Sequence, residues 1–167
     1  FMDYTSVPFH VSNLTFFINK SDKSFRFSIL KDLKGRNICL VRGFTTTPEF
    51  DKLAKQGTFK ITHLDNSTAA AGQWTSEAEA ANARRALQDP NVVAYIGTLN
   101  SGAAKVSMPI LNFGDLLMVS PAATAVGLTK PGLGEPVEPG VYRPKGTINF
   151  ARVVPADDLQ GTLSAEW

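Results

Sequence analysis

The sequence has little of what metal centres and disulfide-stabilised folds require. Its 167 residues include one cysteine, Cys39, and two histidines, His10 and His63. A single thiol excludes an internal disulfide framework and a cysteine-rich metal site, and two histidines leave little for a histidine-based one. We therefore expect no metal and no cofactor.

Long apolar runs and an excess of charge of one sign are also missing. No run approaches the roughly 18 apolar residues that cross a bilayer, and no signal-peptide pattern opens the chain. The sequence has 17 Lys and Arg residues and 15 Asp and Glu residues, a net charge of +2. This charge is too small to indicate binding to nucleic acid or to a membrane surface. We expect partners of neither kind.

The chain does have enough apolar residues for the core of one domain over residues 1–167, with 43% hydrophobic and 19% charged residues. Its composition changes near residues 63–65. Residues 1–64 carry ten Lys/Arg and five Asp/Glu, whereas residues 65–167 carry seven and ten. Nine of the eleven phenylalanines lie in the first part, and all alanines but Ala54 lie in the second. This shift indicates two sources in one chain.

Short apolar runs alternate with helix signals along the sequence. The predicted strands are Val11–Asn19, Asn37–Arg42, Phe59–Leu64, Val92–Ile96, Leu116–Val119 and Asn149–Val154. The predicted helices begin near Pro48, Glu77, Ser101 and Asp157, and residues 127–147 predict a long surface loop. The alternation predicts an α/β fold, a doubly wound parallel sheet with helices on both faces.

Ligands of such a sheet bind beyond the carboxyl ends of its strands, against helix N-termini. Three segments are predicted there: Gly43–Thr47, Gly97–Gly102 and Ser120–Thr124. They are rich in hydroxyls, small residues and backbone N–H groups and contain no cluster of charges. Such segments can hold a carboxylate or another anion with neutral donors, but they supply no general base and no activated nucleophile.

Each candidate also has a purely structural interpretation. Ser101 and Thr45–Thr47 precede helices, and from the pattern alone an N-cap is favoured over a ligand role for them. Cys39 lies between apolar neighbours and is expected to be a buried, inert thiol. His63 near Asp65 could form a His–Asp pair, but no GxSxG nucleophile motif accompanies it. With no phosphate-binding or dinucleotide motif either, we expect that the protein is not an enzyme.

Residues from about 65 to 167 resemble the first lobe of a type I periplasmic binding protein of the branched-chain amino-acid group. The matching stretches are DNSTAAAGQWTSEAEAANARRALQDPNVVAYIG, TLNSGAAKVSMPILN, LLMVSPAATAVGLTKPG and FARVVPADDLQG. The resemblance implies a single binding-protein lobe, a flavodoxin-like three-layer sandwich. It also implies that an amino-acid ligand is held by Asn100, Ser101, Gly102, Ala122, Ala123 and Thr124. The Ser101 and Thr124 hydroxyls would then take the carboxylate, and the Ala122 carbonyl the ammonium.

Residues from about 1 to 64 resemble a type II binding protein of the polar amino-acid group. The matching stretches are VSNLTFFINKSDKSFRF and LKDLKGRNICLVRGFTTTPEFDKL. This second resemblance implies a role for Thr45 and Thr46 in holding an anionic ligand group, although Phe44 separates them from the glycine that they usually follow. The chain is thus similar to a chimera, with large side chains such as Phe50 and Phe59 set against an alanine-rich neighbour.

Two functions follow from these resemblances. The first is a solute-binding lobe related to ABC-transporter amino-acid-binding proteins, periplasmic or otherwise extracytoplasmic. Its binding of an amino acid would be weak or vestigial, because closure by a second lobe supplies much of the contact in such proteins. The second is an engineered or recombined scaffold with no biological activity. In either case the lobe or hinge surface left exposed predicts homo-oligomers.

Overall fold

The computed structural model describes residues 28–41 and 47–166, and these form one parallel sheet flanked by helices. The strands are β1 (Asn37–Val41), β2 (Lys60–Leu64), β3 (Val92–Ile96), β4 (Met118–Ser120) and β5 (Phe150–Arg152). The α-helices are α1 (Pro48–Lys55), α2 (Ser76–Gln88), α3 (Ser101–Phe113) and α4 (Asp157–Ala165). All four strand pairs are parallel, in the order β2-β1-β3-β4-β5. This is the flavodoxin-like order, and it confirms the predicted doubly wound sheet.

Local signals explain where the helices begin and end. Thr47 precedes Pro48 at the start of α1, and its Oγ1 accepts a hydrogen bond from the Phe50 N–H at 3.3 Å. Thr75 caps α2 in the same way through the Ala78 N–H, at 3.2 Å. Gly57, with φ 73, supplies the left-handed residue that follows α1. The strand predicted at Val11–Asn19 lies outside the described residues.

Buried residues on the two faces of the sheet belong to separate cores, because alternate residues of a strand face opposite sides. Cys39 belongs to the larger core with α2 and α3, which includes Tyr95, Met108 and Leu111. Ile38 belongs to a second core, which also contains buried residues of α1 and its neighbours: Leu33, Phe50, Leu53 and Phe59. Helices therefore cover both faces of the sheet.

The phenylalanines pack differently from the expectation. The Phe50 and Phe59 rings lie against each other, with centroids 4.7 Å apart and planes tilted by 48°. The expectation that these two residues are set against an alanine-rich neighbour is wrong. The alanine-rich helices lie on the other face of the sheet, so the bulky and the small side chains are kept apart.

A polar network joins the part of the chain before residue 65 to the part after it. The Asn37 side-chain amide donates to Asp89 Oδ2 at 2.7 Å and accepts from the Thr62 hydroxyl at 3.1 Å. The hydrogen bond from Asn37 is the main cause that lowers the pKa of the Asp89 carboxyl. The two compositional parts therefore share hydrogen bonds as well as a sheet.

The loop between β4 and β5 is long and exposed, as predicted for residues 127–147, but it has a buried anchor. The Glu138 carboxylate accepts hydrogen bonds from the Tyr142 hydroxyl and, at 3.0 Å, from the Glu135 N–H. It also forms an ion pair of 2.6 Å with Lys105 of α3. A Cβ added at Gly127 would lie 1.7 Å from Glu138 Oε2, so only glycine leaves room for the carboxylate there.

The Glu138 anchor predicts a pH dependence of stability. The hydrogen bond from Lys105 is the main cause that lowers the pKa of Glu138 to about 2 from its usual 4.5. A carboxyl whose pKa is lower in the folded state stabilises that state above its unfolded pKa, and the contribution is lost as the pH falls through the folded pKa. Urea unfolding of the wild-type protein and Glu138→Gln should therefore differ most at pH values above the usual pKa of 4.5 and converge as the pH falls towards 2. Glu135→Gln, which changes an exposed carboxylate in the same loop, should track the wild type. A difference between wild type and Glu138→Gln that stays constant with pH would contradict the assignment.

Candidate functional site

The segments that leave β3 and β4 lie side by side, because these strands are neighbours with Ile96 paired to Val119. Two hydrogen bonds hold the segments together. The Ser120 hydroxyl donates to the Thr98 carbonyl at 2.8 Å, and the Ser101 hydroxyl accepts from the Ala125 N–H at 3.1 Å. Six of the predicted site residues are thus brought to one edge of the sheet: Asn100, Ser101, Gly102, Ala122, Ala123 and Thr124.

Ser120 organises the second of these segments. Its side chain is fully buried, and its oxygen accepts from the Ala123 N–H at 2.8 Å and the Ala122 N–H at 3.2 Å while it donates to Thr98. The turn that follows β4 is therefore fixed to the turn that follows β3 by one hydroxyl.

The interpretation of Ser101 as a helix cap is wrong. Asn100 is the N-cap of α3 and makes no side-chain capping bond, and Ser101 is the first helical residue. Because the Ser101 oxygen accepts from Ala125, its own proton stays available to a ligand. The first three N–H groups of a helix have no intrahelical acceptor, and no described residue accepts from those of Ser101, Gly102 and Ala103. This end of α3 is a cluster of donors at the positive pole of the helix.

Most polar backbone groups of residues 122–125 are already paired. Their paired carbonyls are those of Ala123 and Ala125, which accept from the Arg152 guanidinium at 3.0 and 2.8 Å, and that of Thr124, which accepts from the Asp157 N–H at 3.0 Å. The Ala122 carbonyl accepts from no described residue, and neither the Thr124 N–H nor its hydroxyl has a partner among them. Residues 122–125 therefore offer two free donors, both from Thr124, and one free acceptor, the Ala122 carbonyl.

Sequence reasoning missed two residues of this edge. A Cβ on Gly102 would lie 2.9 Å from Cζ2 of the half-buried Trp74, so the indole lies directly against the start of α3. Its sequence signal is a lone tryptophan just before the Thr75 cap. Arg152 is the last residue of β5. Its only sequence signal is its position at the end of a predicted apolar strand.

The remaining candidates differ in outcome. Thr45 and Thr46 lie outside the described residues. Burial raises the pKa of the Cys39 thiol to about 11, which confirms an inert, protonated side chain. His63 is exposed, and the Asp65 carboxylate accepts from the Ser67 hydroxyl at 2.7 Å and its N–H at 3.0 Å.

Within residues 28–41 and 47–166, no three His, Cys, Asp or Glu side chains are grouped as metal ligands, and no helix is long and apolar enough to cross a membrane.

Solved structures with this fold include substrate-binding proteins of ABC transporters. One from Desulfitobacterium hafniense, in complex with Leu, has 20% sequence identity over 80% of this chain, with a TM-score of 0.54. A second structure of an ABC transporter substrate-binding protein from that organism has 19% identity over 80% of this chain, with a TM-score of 0.53. The branched-chain amino acid transporter substrate-binding protein LivJ of Streptococcus pneumoniae, in complex with isoleucine, has 16% identity over 74% and a TM-score of 0.51.

These likenesses establish the fold and its extent. The chain spans 39% of the length of each Desulfitobacterium protein and 35% of the Streptococcus protein. That share corresponds to one lobe, as the fold prediction requires. No protein-family model and no curated protein sequence matches the chain.

The role of Ser120 predicts a clear loss of stability in Ser120→Ala. The change removes one donor and one doubly used acceptor from a buried position, which should lower the free energy of unfolding by about 1–3 kcal/mol. Ser107→Ala is the matched control, because Ser107 is equally buried but bonds only to the Ala103 carbonyl of its own helix and to the Met118 sulfur. Chemical unfolding should show the larger loss for Ser120→Ala, and equal losses would contradict the role of Ser120 between the two segments.

Proposed function

We propose that this chain is a solute-binding lobe related to ABC-transporter amino-acid-binding proteins, and that it carries half of a site for a free amino acid. The observation that carries the proposal is the pairing of free donors at the start of α3 with one free acceptor, the Ala122 carbonyl, at the same edge. The fold supports it, because similarly folded structures were solved in complex with Leu and with isoleucine. The lobe acts by binding, with no reaction step, and by its fold relatives it works outside the cytoplasm.

The carboxylate of the amino acid would bind at the start of α3. The N–H groups of Ser101, Gly102 and Ala103 and the Ser101 hydroxyl are donors without described acceptors. The Thr124 N–H and hydroxyl add two more donors from the neighbouring segment. Hydrogen bonds to a charged acceptor are stronger than neutral ones, so neutral donors are sufficient for a carboxylate.

The ammonium group would bind to the Ala122 carbonyl. That carbonyl is the one in residues 122–125 that no described donor occupies. An amino acid carries its two charged groups on one carbon, and the donors and the acceptor lie in adjacent segments joined by the Ser101 to Ala125 bond. Trp74, against Gly102, and Leu99, which is 62% exposed, add apolar surface for the rest of the ligand.

The affinity of this chain alone should be weak. A lone lobe presents its donors to water, where the solvent screens a bound carboxylate. Closure of a second lobe would remove that water and add contacts. We therefore expect millimolar dissociation constants for this chain.

A titration of ¹⁵N-labelled protein with leucine tests the proposal. We expect saturable shifts of the Ser101, Gly102 and Thr124 amide signals at millimolar ligand, and weaker binding of isovalerate and isoamylamine, which each lack one charged group. Ser101→Ala should weaken leucine binding several-fold. Ser76→Ala is the matched control, because Ser76 is likewise the first residue of its helix but starts α2. Leucine that shifts none of these signals would overturn the proposal, and micromolar binding would overturn the expectation of weak affinity.

The second candidate is a recombined or engineered scaffold without activity, formed from type II-like residues 1–64 and type I-like residues 65–167. The compositional boundary near residues 63–65 favours it, as does the second core, whose fully buried members all precede residue 65. The hydrogen bond from Asn37 to Asp89 connects the two parts, so residues from both stabilise the fused fold. An absence of leucine binding in the titration would favour this candidate over the first.

Homo-oligomerisation stays a prediction, with α4 as the surface to test. This helix has no buried residue, and Leu159 and Leu163 lie one turn apart with 51% and 56% exposure. Sedimentation velocity over increasing protein concentration should show self-association that the double substitution Leu159→Ser and Leu163→Ser weakens. A protein that stays monomeric at millimolar concentration would contradict the prediction.

A further inference from the structure

Arg152 reaches the candidate edge from β5 and contacts the segment that follows β4. It is the last residue of β5, paired with Ser120 of β4, and its side chain is half-buried. One guanidinium nitrogen, Nη1, donates to the carbonyls of Ala123 and Ala125 at 3.0 and 2.8 Å. The other, Nη2, donates to the Thr129 hydroxyl at 2.5 Å. The chain from 123 to 129 therefore curves around one side chain.

The contacts of Arg152 are unusual for an arginine, because its close partners are neutral. No carboxylate among the described residues forms an ion pair with it. Asp157 and Asp158 act on it only at longer range. A planar guanidinium presents its donors in a fixed fork, so Arg152 can hold two carbonyls that flank one residue, Thr124, at a set separation.

We propose that Arg152 is a positioning residue that decides which carbonyls of residues 122–125 a ligand can use. This inference rests on the proposed function. Arg152 occupies the carbonyl of Ala123 and shares that of Ala125 with the Leu128 N–H. With the Thr124 carbonyl taken by the Asp157 N–H, the Ala122 carbonyl is the one acceptor of residues 122–125 without a described donor, while the Thr124 N–H and hydroxyl stay available as donors. The site then has one place for an ammonium group and an excess of donors for a carboxylate.

The proposal makes Arg152 a determinant of specificity. In Arg152→Met the Ala123 carbonyl is released as an additional acceptor, the Ala125 carbonyl keeps only its 3.3 Å bond from the Leu128 N–H, and a positive charge next to the site is removed. These changes favour a ligand that carries only an ammonium group and disfavour one that carries a carboxylate. A loss of packing alone would weaken both kinds of ligand to the same extent.

The test measures a ratio of affinities by amide-signal titration of the full chain. The ligands are leucine and isoamylamine, and the variants are wild type, Arg152→Met and Arg152→Lys. We expect Arg152→Met to lower the preference for leucine over isoamylamine at least tenfold. Arg152→Lys restores the charge but not the fork and should recover part of the preference. Arg143→Met is the matched control, because Arg143 is also half-buried but follows the 3-10 turn Gly140–Tyr142, and its Nε makes no hydrogen bond to a described residue.

The outcomes separate this inference from the proposed function. Leucine binding by the wild type with an unchanged preference in Arg152→Met would overturn the role of Arg152 and leave the proposed function standing. No binding by the wild type would overturn the proposed function, and amide hydrogen exchange without ligand then decides the positioning role. Faster exchange of the Ala123 and Ala125 amides in Arg152→Met than in Arg143→Met would support positioning, and equal exchange would overturn it.

Discussion

The carboxyl ends of β3 and β4 lie side by side, and every polar backbone group in the segments that leave them must find a partner or meet water. Most find partners within the chain. The Ser120 hydroxyl joins the two segments, the Ser101 hydroxyl takes the Ala125 N–H, and Arg152 takes two carbonyls. The groups of the candidate site without a described partner are the N–H groups at the start of α3, the Thr124 N–H and hydroxyl, and the Ala122 carbonyl.

The sheet contains strands from both parts of the chain, which differ in composition. Bulky residues from before residue 65 pack on one face, where Phe50 lies against Phe59. Alanines of α2 and α3 pack on the other face, together with Met108 of α3 and Tyr95 of β3. Because neighbouring side chains of β1 face opposite ways, the strand can serve both cores at once. A change in composition along the sequence therefore becomes a difference between two layers and leaves the sheet continuous.

Much of the candidate edge could be predicted from the sequence. The alternation of apolar runs and helix signals predicts the parallel sheet, and a parallel sheet gathers its carboxyl ends at one edge. This reasoning places Gly97–Gly102 and Ser120–Thr124 at the same edge, and the resemblance to binding proteins narrows them to Asn100–Gly102 and Ala122–Thr124. The role of Ser101 could not be predicted in this way. A serine that caps a helix and a serine that bonds to a neighbouring segment both stand just at the start of a helix in the sequence. The same reasoning also passes over Trp74 and Arg152, whose partners lie about 30 residues away along the chain.

The sequence by itself determines the elements, their order and the chemical character of this edge, because periodicity, caps and glycines act over a few residues. Only the tertiary structure decides which hydrogen-bonding groups stay free. That choice depends on contacts between β4, β5 and α3, such as the fork from Arg152 to Ala123 and Ala125. The segments predicted at this edge are already rich in hydroxyls and backbone N–H groups and contain no cluster of charges. The fold decides which of these groups are free. Backbone N–H and carbonyl groups are chemically the same in almost every residue, so only their hydrogen-bond partners in the folded chain distinguish them.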